Sequence, residues 1–138
     1  MEEGKKMKKT LLMLLLICST TGIVFAKDKQ CKPAVHAKVP AIAEFTYHNA
    51  RKALLAAGWQ PLQSVRWQEV DERLSGQARE FWEKGYVEVQ DCAGTGAAPC
   101  VFLFKDVYGN RLSVTTAGQE YPEAKSYARV TGFEFVCD

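Results

Sequence analysis

Two cysteines eight positions apart, Cys92 and Cys100, set the terms for this chain. They bracket Ala93-Gly94-Thr95-Gly96-Ala97-Ala98-Pro99, whose glycines and proline exclude helix and strand. Before them, Tyr86-Val87-Glu88-Val89-Gln90 alternates polar and apolar residues, the period of a half-buried strand with Val87 and Val89 inward. After them, Val101-Phe102-Leu103-Phe104 is apolar on both faces, as a central strand covered on both sides would be. Asp106-Val107-Tyr108-Gly109-Asn110 supplies turn residues, and Arg111-Leu112-Ser113-Val114-Thr115 alternates again with Leu112 and Val114 inward. The stretch predicts a three-stranded antiparallel meander. A Cys92–Cys100 disulfide would close its first loop at the base, and closing nine or so residues stabilises by about 2.5 kcal/mol on chain-entropy grounds. The shape matters more than the energy: the loop would be rigid, exposed and free of bulky side chains.

Disulfides persist in oxidising compartments, and the start of the chain supplies a route to one. Lys5, Lys6, Lys8 and Lys9 precede an apolar run from Leu11 to Ile17, and Val24-Phe25-Ala26 suits a signal peptidase. Residues 1–26 read as a secretory leader cleaved after Ala26. The apolar run is too short for a stable span and is followed by Ser19-Thr20-Thr21. Cys18 follows Ile17 rather than a small residue, which argues against lipidation. Beyond residue 26 the charges balance, with 14 Lys and Arg against 14 Asp and Glu. That balance leaves no electrostatic footprint for nucleic acid or an anionic membrane. Four cysteines remain there: Cys31, Cys92, Cys100 and Cys137. Three pairings are open. Cys92–Cys100 with Cys31–Cys137 is favoured, because the second bond would tie the mature N-terminus to the last strand. Closing a loop of that order would contribute about 4.7 kcal/mol.

The rest of the chain, residues 27–138, reads as one domain. Residues 27–40 form a polar lead-in broken by Pro33 and Pro40. Ala41 to Ala57 is the best helix, with Tyr47, Ala50, Leu54 and Ala57 on one stripe and Gly58 as its cap. Trp59 and Leu62 are placed to pack back on the core, and Val65 and Trp67 to add a short strand. A second, shorter helix is expected from Gln77 to Lys84, stopped by Gly85. Residues 118–126 read as a surface loop. Ala128 to Cys137 is the last strand, with a β-bulge at Gly132, where Phe133 and Phe135 change parity relative to Val130. The fold class is α+β: an antiparallel sheet of about four strands with one long and one short helix packed on it, stapled by disulfides.

No catalytic constellation stands out. The two histidines, His36 and His48, precede the sheet, and His48 is expected to be exposed or satisfied rather than catalytic. Asp91 and Asp106 flank the cysteine loop as a carboxylate pair, although Asp at strand ends more often serves turns. Gly94-Thr95-Gly96 lacks the third glycine and the following helix of a dinucleotide loop. Asp106 to Arg111 has too few oxygen ligands for calcium, and the cysteine spacing is not a zinc knuckle. No metal and no cofactor are expected. Phe102, Phe104, Phe133, Phe135, Trp59 and Trp82 read as core; Tyr86, Tyr108, Tyr121 and Tyr127 read as half-exposed rim residues.

Gly58-Trp59-Gln60-Pro61, Gly85-Tyr86-Val87-Glu88-Val89, the Cys92 to Cys100 segment, Phe102-Leu103-Phe104-Lys105-Asp106 and Gly109-Asn110-Arg111-Leu112 together carry a resemblance. The chain resembles, over roughly residues 47 to 116, a group of small exported proteins of Gram-negative bacteria. The resemblance implies export and brings no activity with it. In layout alone the chain is similar to Ivy-type periplasmic lysozyme inhibitors, which present a short disulfide-closed loop on an antiparallel sheet and plug an enzyme cleft with it. Their loop carries a histidine that engages catalytic carboxylates. Between Cys92 and Cys100 there is neither a charge nor an imidazole.

The reading that follows is a periplasmic or secreted monomer that binds another protein, such as a hydrolase or toxin, as an inhibitor or immunity protein. Gly94, Thr95, Gly96 and Ala97 are the expected contacts, with Tyr86 and Tyr108 at the rim. A structural envelope protein is the second expectation, and a small hydrolase using Asp91 or Asp106 the third.

Overall fold

The computed structural model describes residues 31–137; the expected leader over residues 1–26 lies outside the described residues. Among the described residues three α-helices, α1 (Tyr47–Ala56), α2 (Val70–Arg73) and α3 (Gly76–Glu83), accompany five strands, β1 (Gln60–Pro61), β2 (Val89–Cys92), β3 (Cys100–Lys105), β4 (Arg111–Ala117) and β5 (Arg129–Val136). The strands form one antiparallel sheet, and the fold is the expected α+β class with one strand more than four. β4 lies between β3 and β5. The other edge of β3 is shared: β2 pairs with its first half and β1 with Phe104 and Lys105.

β3 organises the core because its alternation is clean. Cys100, Phe102 and Phe104 are fully buried, and Leu112 and Val114 of β4 continue their face. Both longer helices lie over that face. Tyr47 of α1 stacks on Phe102 at 3.6 Å, and Phe81 of α3 meets Phe102 edge-on at 5.0 Å. Aromatic pairs of this kind add about 0.5–1.5 kcal/mol to the burial itself. On the opposite face Val101 and Leu103 are only half-buried, so the covering is one-sided.

Both helices end the same way. Gly58 and Gly85 take the left-handed conformation, with φ of 93° and 86°. The next N–H reaches back five residues, Trp59 to the Leu54 carbonyl and Tyr86 to the Phe81 carbonyl, each at 3.0 Å. These are Schellman caps, where glycine avoids the steric cost of positive φ.

Several boundaries differ from expectation. α1 starts at Tyr47, not Ala41. Thr46 caps it, and residues 44–46 are drawn to the free edge of β5: Glu44 N–H donates to the Val130 carbonyl at 3.0 Å and Val130 N–H to the Phe45 carbonyl at 2.9 Å. Pairing with a sheet edge outcompetes another helical turn. The strand expected at Val65 and Trp67 is instead at Gln60–Pro61, and Trp67 opens a 3-10 turn running into α2. β2 begins at Val89 rather than Tyr86, because Val89 N–H closes a turn on the Tyr86 carbonyl. Phe133 is 40% exposed rather than core, while Phe135 packs by Trp59 and His36. The bulge on β5 falls one residue early: Thr115 pairs with Gly132 and Thr116 with Val130, leaving Thr131 as the extra residue.

Disulfides join Cys31 to Cys137 and Cys92 to Cys100. Among the described residues no helix is long and apolar enough to cross a membrane.

Candidate functional site

The cysteine loop is fixed at three places. The disulfide joins residues directly opposed across β2 and β3. Just inside the loop it closes, Ala93 N–H donates to the Pro99 carbonyl at 2.8 Å. At its far side the Ala97 carbonyl accepts from Gly118 N–H at 2.7 Å. Gly96 and Ala98 both have positive φ, and Ala98 is buried as the loop turns home. Gly94, Thr95, Gly96 and Ala97 are all exposed. A groove of about 340 Å³ runs beside them, walled by Cys92, Ala93 and Gly94, by the first turn of α3, and by Gln119, Glu120 and Tyr121.

Behind this groove lies a polar chain that the sequence did not announce. Gln77, in the first turn of α3, donates from Nε2 to the Gly118 carbonyl at 3.0 Å and accepts from Glu120 N–H at 3.1 Å. The Glu120 side chain turns inward; Oε1 accepts from Ala128 N–H at 2.8 Å and Oε2 meets His48 Nε2 at 2.7 Å. His48 Nδ1 lies 2.7 Å from the Tyr86 hydroxyl. A neutral imidazole satisfies both contacts, donating from Nε2 to Glu120 and accepting at Nδ1 from the phenol. The loop is thus linked through Gly118 and Gln77 to a histidine on α1.

A second cluster adjoins the first through Tyr86. Glu88 is fully buried, and its Oε1 accepts from the Tyr47 hydroxyl at 2.7 Å and from Arg51 Nε at 2.6 Å. The Arg51 guanidinium also covers the Tyr86 ring at 4.6 Å. Burial, then the Glu88 carboxylate beside it, pushes the Tyr47 phenol well above its ordinary value, so it remains a donor. Burial also raises the Tyr86 phenol. Desolvation works against the charged Arg51 guanidinium, but its bond to Glu88 outweighs that and raises it. Paired in this way, the buried carboxylate avoids the large cost of an isolated internal charge.

The rim residues fall far apart. Tyr86 is half-buried in the polar chain. Tyr108 sits at the β3–β4 turn, the opposite end of β3 from the loop, roughly 20 Å away by strand rise. Asp91 and Asp106 are separated in the same manner, by roughly 16 Å along β3. Asp91 is exposed and accepts from Cys92 N–H. Asp106 serves its turn: it accepts from the N–H groups of Ala37, Tyr108 and Asn110 and from the Asn110 side chain, at 2.8–3.0 Å. The fold therefore does not bring these carboxylates together as an acid–base pair. Among the described residues no group of three or more His, Cys, Asp or Glu is placed to hold a metal ion.

What sequence reasoning missed is the inward turn of Glu88 and Glu120. Glu88 sits in an alternating run, where it reads as solvent-facing, and its partners are 37 and 41 positions away. Compared with known proteins, the chain matches no protein-family model, no curated protein and no solved structure.

Proposed function

We propose that this protein acts outside the cytoplasm by binding another protein, with the Cys92–Cys100 loop as the contact. The observation that supports this reading is the loop itself, four consecutive exposed small residues fixed at three places. A segment already immobilised loses little conformational entropy on docking. Glycine and alanine side chains also let a partner approach the backbone closely. The groove beside the loop gives a partner side chain a place to enter. An inhibitor or immunity protein of the periplasm, engaging a hydrolase or toxin, is the version of this function that such a loop serves best.

The test is capture of a stoichiometric partner from an envelope extract. Thr95→Trp, which places a large side chain on the exposed loop, should abolish capture with the melting temperature unchanged. Tyr108→Ala, at the far end of the sheet, should leave capture intact. If capture survives Thr95→Trp, the loop is not the contact.

A further inference from the structure

Cys100 is completely buried, and its partner across β3 and β4 on the same face is Thr116. Directly opposed side chains hold their Cβ atoms about 4.5–5.5 Å apart. The Thr116 hydroxyl is buried with no hydrogen-bond partner among the described residues. A buried hydroxyl left unpaired costs stability, so its place next to a disulfide needs a cause. The hydroxyl does not bond the sulfur of the oxidised pair; one donor does reach it, Gln77 Nε2, which lies 3.2 Å from Cys100 Sγ and also donates to the Gly118 carbonyl. A disulfide sulfur is a weak acceptor and rewards neither donor, whereas a thiolate, being ionised, accepts strongly. The surroundings of Cys100 are matched to its reduced form.

The other sulfur is the reachable one. Cys92 is half-buried and lines the groove between the loop and the first turn of α3. The second disulfide is built differently. There the Phe135 carbonyl oxygen lies 3.7 Å from Cys31 Sγ, an acceptor that would oppose a thiolate at that position.

We infer that Cys92–Cys100 is a redox-active disulfide that exchanges with an external dithiol, with Cys92 attacked and Cys100 leaving as a thiolate held by Gln77 and by the Thr116 hydroxyl once it turns toward the new charge. A thiolate of the reductant attacks Cys92 Sγ and forms a mixed disulfide there. The electron pair of the protein S–S bond departs on Cys100 Sγ. The second thiol of the reductant gives up its proton and attacks its own sulfur in the mixed disulfide, which releases Cys92. The protein gains two electrons and one proton, which Cys92 takes up while Cys100 stays a thiolate, and the dithiol becomes a disulfide. Apolar burial alone would disfavour the Cys100 thiolate; the two donors offset that cost. The inference goes beyond the docking role of the loop and stands whether or not the loop meets a partner.

The experiment equilibrates the full protein in buffers of reduced and oxidised dithiothreitol, alkylates the free thiols and maps them by mass spectrometry. Cys92–Cys100 should reach half-reduction at a reduced-to-oxidised ratio at least about tenfold lower than Cys31–Cys137. Thr116→Val should raise the ratio needed for Cys92–Cys100 by about tenfold, and Thr116→Ser should restore it. If Thr116→Val does not fold, Gln77→Leu removes the other donor and supports the same comparison. Glutathione in place of the dithiol should leave its adduct on Cys92. A midpoint unmoved by loss of either donor, or an adduct on Cys100, overturns the assignment.

Discussion

The two ends of the β3–β4 ladder solve one problem with different chemistry. At the Cys100 end the chain is held by a covalent bond, and what it exposes is small and mostly apolar. At the Lys105 end the turn is held by a carboxylate, Asp106, whose residue is only 4% exposed and which gathers four hydrogen bonds. That end exposes Val107 and Tyr108. The covalent clamp is local, joining residues already opposed in register. The carboxylate clamp reaches further, since one of its donors is Ala37 N–H, 69 positions away. Asn110 adds to it by donating to the Val35 carbonyl at 2.9 Å. One end therefore answers to redox poise and the other to acid, and of the two only the second binds residues 35 and 37.

The comparison is broken most severely at Asp106. Asp106→Ala removes the acceptor for three backbone N–H groups and one side-chain amide. Unpaired donors cost about 1–3 kcal/mol each when buried; these sit on half-buried or exposed residues and recover much of that from water, so the expected loss is about 3 kcal/mol in urea unfolding. The double change Cys92→Ala with Cys100→Ala should cost less, about 2.5 kcal/mol at most, because the loop keeps its bonds to Pro99 and Gly118. If the cysteine pair costs more than Asp106, the local clamp dominates and the contrast between the ends is reversed.

Acid sharpens the same contrast by a smaller amount. Burial would raise the Asp106 carboxyl, but hydrogen bonds from the Asn110 side chain and from the Ala37, Asn110 and Tyr108 N–H groups outweigh it and hold the carboxyl below its ordinary value. A carboxyl depressed in the folded state contributes stability that is fully present above its unfolded pKa. That stability is lost as pH falls through the folded pKa. Wild-type protein should lose urea resistance between about pH 5 and pH 2 more steeply than Asp106→Asn, which keeps an acceptor but cannot titrate. Parallel curves would mean that the carboxylate does not carry the clamp.

This contrast also explains what could be read from the chain and what could not. The cysteine loop, the turn at Asp106 and the caps at Gly58 and Gly85 were legible because each is local chemistry: spacing, turn formers, positive φ. The start of α1 was not, because its preceding residues are claimed by Val130, whose bonds to residues 44 and 45 no helical period encodes. Nor was the polar chain. Glu120 lies in a stretch that reads as surface loop, yet it is buried against a histidine 72 positions earlier. A buried carboxylate is recognisable only by its partners, and all of these but Ala128, eight positions on, are distant in sequence. The redox assignment belongs to the same class, since Thr116 becomes informative only once the register sets it opposite Cys100.

The smallest expected effect concerns the apolar tip. Val107 is 85% exposed and Tyr108 62% exposed, so neither contributes its side chain to the core. The turn uses Tyr108 only through its N–H, which donates to Asp106 at 3.0 Å and which any residue but proline supplies. Val107→Ser and Tyr108→Ala should each change stability by less than about 0.5 kcal/mol, as surface substitutions do. Tyr108→Pro, by contrast, deletes that donor and should approach the cost of losing one hydrogen bond to a charged group, about 1.5–3 kcal/mol. Thermal unfolding of the three variants separates side chain from backbone at this end. If Tyr108→Ala costs as much as Tyr108→Pro, the tip is held by its ring, and the carboxylate clamp is not what distinguishes it from the disulfide end.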